Sequence, residues 1–357
     1  LLRVLSDPSV KSLTLITSRE RLREADVTVH TYLLKSLDLP AWEQFFQNRN
    51  ISVPPLLRGD RGDLPALAVL HKAYGGNAKA MDIISGAVLE DFSGDVEAYW
   101  QANQDDLFIE RDLEDLVRKQ FDRLQQLDPD AYKLLCRMGC YRYQDVPTVP
   151  IEGLFCLLWD VPENRHRRVV RALQDRSLVD FDNGEFWLHS VVREEAIKRM
   201  VSDEDWKTAN RLVAEFWTGS VETVEDVEDA VKAFEAFHHY VEIEEFEQAS
   251  IVILRRRRNQ WYGAKGGELL SSSFYRLGLL QQMYSAIHII LDKIKMKCYL
   301  IELYSTLGEL YGITGNIRKA IDCNEKVEEI INGVFALNQD SKQTQNYLKE
   351  LKIASLF

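Results

Sequence analysis

Ser177-Leu178-Val179-Asp180-Phe181-Asp182-Asn183-Gly184-Glu185-Phe186-Trp187-Leu188-His189-Ser190 decides the middle of this chain. Two short runs of apolar and aromatic residues flank an Asn-Gly pair. That dipeptide is the strongest short-range hairpin signal, because a type I′ turn needs positive φ at both central residues. Ser177–Asp182 and Glu185–Leu188 therefore read as the two arms of a β-hairpin.

Ahead of the hairpin the apolar spacing is helical over residues 113–127, 130–138, 151–158 and 163–175. Helices followed by a two-stranded wing make a winged-helix unit, placed at residues 111–201. Upstream, residues 64–107 are helical in pattern, with a Gly75-Gly76-Asn77 break between two helices. Asn77 has the side chain to cap the second by accepting a bond from its early N–H groups. This helical stretch and the Pro/Gly-containing linker before it, which holds Arg58-Gly59-Asp60 and Arg61-Gly62-Asp63, form a helical domain at 51–110. The two Arg-Gly-Asp triplets read as loop residues in a chain without secretory features. Pro40 opens a further helix over residues 41–48, with Trp42, Phe45 and Phe46 on its apolar face. A proline costs nothing at a helix start.

From residue 203 onward only helices are expected. Tyr304-x-x-Leu307-Gly308-x-x-Tyr311, followed by Gly315, Ala320 and Val327, is similar to a tetratricopeptide repeat. Small residues stand where two antiparallel helices touch, and aromatics fill the groove. A weaker copy runs over residues 237–253, with Phe246 and Ala249. Asn324 and Asn332 depart from the repeat pattern, so two or three degenerate repeats are expected in residues 202–357. Arg255 to Arg258 reads as a solvated helical segment.

The 357 residues suit about two to four domains. Hydrophobic residues make up 46% and charged residues 28%, too apolar for a disordered chain. A formal net charge of −12 opposes non-specific nucleic-acid binding, which depends on phosphate neutralisation. The basic run Arg165-His166-Arg167-Arg168-x-x-Arg171, on the third helix of the winged-helix unit, supplies the runner-up reading of a DNA-binding regulator. No run of about 18 apolar residues offers a membrane span. Cys136, Cys140, Cys156, Cys298 and Cys323 form neither C-x-x-C pairs nor zinc-finger spacing, and read as reduced core thiols of a cytoplasmic protein.

Near the start, Leu13-Thr14-Leu15-Ile16-Thr17-Ser18-Arg19-Glu20 is an apolar strand that delivers hydroxyls and an arginine at its end. In open α/β sheets ligands bind beyond the carboxyl ends of strands, where an arginine can grip phosphate oxygens. This segment resembles the sensor strand of NB-ARC-type STAND (signal-transduction) ATPases, in a bacterial, cyanobacterial-like form. Residues 1–50 are then the C-terminal part of the α/β nucleotide-binding domain, and the chain is the C-terminal portion of a longer protein. The fold class expected is mainly α: the end of an α/β domain, a helical bundle, a winged helix and repeats.

The resemblance implies that Arg19 senses the terminal phosphate of ATP; otherwise it is a surface arginine at a strand end. Tyr74-Gly75-Gly76-Asn77-Ala78-Lys79-Ala80 resembles the family's helix-loop signature near the adenine, with Ala78 in the slot of a proline. Gly76, Asn77 and Ala78 are its candidate nucleotide contacts, and a plain helix cap is the alternative. Leu188-His189-Ser190 stands where the family carries Met-His-Asp, so His189 is the candidate donor to the β-phosphate of ADP. Ser190 replaces the acid, and a structural helix-start histidine is the other reading.

G-x-x-x-x-G-K-[ST] is absent; Gly263-Ala264-Lys265-Gly266-Gly267 has the wrong spacing and falls in a stretch read as helical. The chain alone is therefore expected to lack ATPase activity, with no catalytic residue and no metal ligand of its own. In the whole protein ADP or ATP, with Mg accompanying ATP, is the expected cofactor. This chain by itself is expected to retain none tightly. A protein or peptide ligand on the repeats and a nucleotide-dependent oligomer are the expected partners. A helical-repeat scaffold with no nucleotide role is the competing class.

Overall fold

The computed structural model describes residues 36–52, 65–107, 113–200, 204–261 and 266–337. Arg19 and its strand lie outside the described residues. The fold is mainly α, with sixteen helices and five short strands among the described residues.

The first group is α1 (Leu39–Asn48), α2 (Ala66–Ala73), α3 (Ala78–Phe92) and α4 (Val96–Leu107). Asp38 caps α1 by accepting from Ala41 N at 3.0 Å, and Trp42 and Phe46 are fully buried. The reading of one break in residues 64–107 is corrected to two. Ser93 and Gly94 adopt φ of +51° and +83°, and Asp95 then accepts from the N–H groups of Glu97 and Ala98 to start α4. A serine in the left-handed region carries no sequence signature as strong as Gly-Gly.

The second group comprises α5 (Leu113–Leu127), α6 (Pro129–Met138), β1 (Val149–Pro150), α7 (Ile151–Phe155), α8 (Glu163–Asp175), β2 (Asp180–Asp182), β3 (Glu185–Trp187) and α9 (Ser190–Met200). The hairpin forms where the Asn-Gly pair demands it, with φ of +50° at Asn183 and +89° at Gly184. A third strand joins it: Val149 pairs with Phe186, giving the antiparallel order β1-β3-β2. Two residues ending in proline give no strand periodicity, so β1 is not visible in the sequence. Helix α7 stops at Phe155, short of the expected 158, where Leu157 and Leu158 continue as turns. Helix α6 packs against α5, α8 and α9 through Leu134, Leu135, Leu173 and Val192, all fully buried.

The third group is α10 (Glu204–Ser220), α11 (Val227–Glu242), α12 (Phe246–Leu254), β4 (Arg256–Arg257), β5 (Glu268–Leu269), α13 (Leu270–Arg276), α14 (Leu280–Leu291), α15 (Lys297–Ile313) and α16 (Ile317–Leu337). The all-helical expectation fails at β4 and β5. Arg256 pairs with Leu269 and Arg257 with Glu268, and a Cβ on Gly267 would stand 2.8 Å from the Arg257 carbonyl oxygen. The glycines that weaken a helix here permit a tight ribbon. Arg255–Arg258 is accordingly no helical face. Arg257 is buried, and its Nη1 donates to the Val221 carbonyl at 2.5 Å. Gly266 and Gly267 likewise lie at the ribbon rather than in a helix. The pairs α11/α12, α13/α14 and α15/α16 pack successively. Gly308 faces α16, where an added Cβ would meet Asn324 Oδ1 at 3.3 Å and Cys323 Cβ at 3.5 Å. Ala320 is half-buried against the same core.

Candidate functional site

The turn before α3 is built on a close backbone approach. Gly76 adopts φ of +72°, and a Cβ there would fall 2.2 Å from the Leu37 carbonyl oxygen. Leu37 N donates to the Gly76 carbonyl at 2.9 Å, and His71 Nε2 donates to the Leu37 carbonyl at 2.9 Å. Asn77 caps α3 by accepting from Ala80 N at 3.0 Å. Asn77 and Ala78 are exposed while Gly76 is buried. Of the three candidates, two thus present themselves at the start of a fifteen-residue helix, whose N-terminal amides carry partial positive charge.

One residue further on, Lys79 Nζ lies 2.6 Å from Asp180 Oδ1 and donates to the Ser177 carbonyl at 3.1 Å. Arg49, just past α1, donates to Asp82 Oδ1 at 3.3 Å and to Ser177 Oγ at 3.0 Å. Arg176 grips Asp91 with both terminal nitrogens, at 2.9 and 2.8 Å, and Arg123 reaches the same carboxylate at 2.7 Å. Gly86 lets the backbone of Arg176 lie directly on α3, since a Cβ would come within 2.6 Å of the Arg176 carbonyl carbon. Helix α3 is therefore clamped along its length to the segment that enters β2. None of these partners is predictable from sequence, because each pairs residues remote in the chain.

His189 lies two residues past β3 and is half-buried. Its Nδ1 accepts from Val191 N at 3.4 Å, at the start of α9, and its carbonyl accepts from Arg193 N at 2.9 Å. Asp180, held by Lys79, pairs across the hairpin with Trp187, two residues before His189. The α3 start and the His189 corner are thereby joined through one ion pair and one strand pairing. On α8, Arg165 is engaged by Asp130 at 2.5 Å and Arg171 faces Asp175 at 3.8 Å, while Arg167 and Arg168 are exposed.

The second and third groups meet at a buried guanidinium. Arg137 is 1% exposed and binds Asp160 through Nη1 at 2.6 Å and Nη2 at 3.1 Å. It also reaches Asp205 at 2.9 Å and the Leu157 carbonyl at 2.9 Å, with Trp159 3.6 Å beneath its guanidinium carbon. The Arg137 hydrogen bonds hold the Asp160 carboxyl well below the usual carboxylate range. Arg142 forms a second crossing, to Glu235 on α11 at 2.9 Å. Among the described residues no helix is long and apolar enough to cross a membrane.

These features define a mainly α protein in which a helical group, a helix-and-sheet unit and successive helix pairs are tied by buried ion pairs. No protein-family model matches the chain. An uncharacterised WD repeat-containing protein of Nostoc sp. (strain PCC 7120 / SAG 25.82 / UTEX 2576) is 29% identical over 126 residues, 35% of this chain and 10% of that protein. The chain thus spans about a tenth of that relative's length. Among solved structures, the chain is similar to a Signal Transduction ATPase with Numerous Domains (STAND) protein with a tetratricopeptide repeat sensor from Pyrococcus horikoshii. The TM-score is 0.47 at 15% identity, covering 90% of this chain and 48% of that one.

Proposed function

We propose that this chain is the regulatory and sensing part of a signal-transduction ATPase that switches between ADP-bound and ATP-bound states. Residues 1–50 complete the nucleotide-binding domain, 51–110 form the adjoining helical domain, and 111–201 act as a winged-helix lever. Residues 202–357 take up a protein or peptide ligand. The observation that carries this reading is the Lys79–Asp180 ion pair. It fixes the exposed Asn77-Ala78 turn relative to the hairpin whose second strand ends two residues before His189. Two segments that the resemblance places at the base and the β-phosphate of one nucleotide are thus held in a fixed relation.

In this reading Asn77 and Ala78 line the base and Arg19 meets the terminal phosphate of ATP. His189 donates to the β-phosphate of ADP, because an imidazole offers an N–H donor in any protonation state. Bound ADP supplies a bridge between the nucleotide domain and the lever. A repeat ligand that favours the open arrangement weakens the bridge by the same factor as the bridge weakens that ligand. In this reading no catalytic group and no magnesium ligand is assigned to residues of this chain. A cytoplasmic setting suits five cysteines that are all unbridged.

The test is ADP release from the protein carrying its complete nucleotide-binding domain. His189→Ala removes a hydrogen bond worth on the order of 1–3 kcal/mol, hence roughly a 5- to 150-fold faster loss of ADP. Release at an unchanged rate overturns the reading.

A further inference from the structure

Asp145 lies on the loop between α6 and β1, while Glu235 and His238 stand one helical turn apart on α11. Each offers a donor atom, and the three atoms lie within 4.8 Å of one another. The spacing of three puts Glu235 and His238 on one helix face. Glu235 is 3% exposed, and it shares the single Arg142 guanidinium with Asp145, so one positive charge serves two carboxylates. The three residues line a cleft of about 340 Å³, whose walls also include Phe234, Phe237, Ala286 and Ile289. The rings of Phe234 and Phe237 lie 5.0 and 5.5 Å from the imidazole of His238 and fix its plane.

Charge balance in the cluster rests on Arg142. Its Nη1 is 2.9 Å from Glu235 and its Nη2 is 3.1 Å from Asp145. A single guanidinium thus faces two carboxylates, and an imidazole in its neutral form offers a lone pair for coordination.

We infer that Asp145, Glu235 and His238 form a zinc site that joins the helix-and-sheet unit to α11, with Arg142 as the internal counter-ion that the metal displaces. Two carboxylates and one imidazole are a donor set zinc accepts, leaving a fourth position for water. Donors at about 2.1 Å from zinc stand about 3.4 Å apart in a tetrahedron, so the cluster must contract by at most about 1.5 Å. Asp145 is exposed on its loop, and its side chain has the freedom to supply that movement. Because the site lies on the loop and α11 alone, it is independent of the nucleotide reading.

The full chain, with its thiols reduced, is titrated with zinc chloride in a calorimeter. One equivalent should bind, and His238→Ala and Asp145→Asn should each weaken binding at least about tenfold. Arg142→Gln should instead tighten it by about tenfold, since a competing positive charge has gone. Loading with cobalt(II) tests the unmutated chain in the same way. The proposed ligands give visible ligand-field bands without a thiolate charge-transfer band. A thiolate band, zinc binding undiminished in His238→Ala, or no stoichiometric binding by either the unmutated chain or Arg142→Gln overturns the site.

Discussion

Lys79 Nζ and Asp180 Oδ1 meet at 2.6 Å although 101 positions separate the two residues. Both are largely shielded, with side-chain exposures of 10% and 24%, so water screens the pair less than it would a surface bridge. The lysine also serves the Ser177 carbonyl, so its removal orphans an acceptor as well as a carboxylate. Lys79→Met should cost about 1–3 kcal/mol. A double-mutant cycle with Asp180→Asn should return a coupling of about 1 kcal/mol, read from urea unfolding. Additive losses would mean that α3 and the hairpin are positioned by packing alone.

The local devices of this fold are legible in the sequence because each depends on neighbours in the chain. The Asn183-Gly184 turn, the Asn77 cap and the limits of α5 and α8 all follow from residues within one or two turns. The Gly308 contact with α16 is legible through the spacing of small residues in the helix pair. What is hidden is non-local. Strand β1 exists only because Phe186 offers an edge to Val149, and β4 exists only because β5 answers it across eleven residues. At the candidate site, Gly76, Asn77 and Ala78 stand out by type, yet the lysine that orients them toward the hairpin reads in sequence as one more surface charge. Arg137 likewise gives no sign that it is 1% exposed, because its partners are Asp160, in the turn between α7 and α8, and Asp205 on α10.

Asp160 gives the fold an acid-sensitive joint. Hydrogen bonds from Arg137 lower its pKa, and Lys133 adds a contact at 2.8 Å. A carboxyl with a depressed folded-state pKa stabilises the fold at every pH above its unfolded value, about 3.9. That contribution shrinks as pH falls from there toward the folded value. Stability should therefore be insensitive to this group above about pH 5 and decline below about pH 4. Asp160→Asn should flatten the acid limb of the stability curve. At neutral pH it should cost about 1–2 kcal/mol, less than breaking a fully buried pair, because Asp160 is exposed to water and Asp205 still serves the guanidinium. An acid limb equally steep in the variant would place the titrating groups elsewhere.

The last helix pair offers the most local test of the repeat architecture. Gly308 approaches α16 so closely that an added Cβ would meet Asn324 Oδ1 at 3.3 Å, and Ala320 is half-buried in the same seam. Alanine at 308 needs the Asn324 amide to give by only a few tenths of an ångström, whereas leucine at 320 must force the helices apart. Ala320→Leu should therefore cost about 1–3 kcal/mol through overpacking, and Gly308→Ala well under that. Contacts in a helix-pair stack run mainly between neighbours, so the loss should be confined to α15 and α16. Hydrogen exchange reads the difference directly. Amides of α15 and α16 should lose protection in Ala320→Leu while those of α5, α6 and α9 keep theirs. Equal loss of protection across both regions would show one cooperative unit and remove the basis for treating the helix pairs as a separable unit.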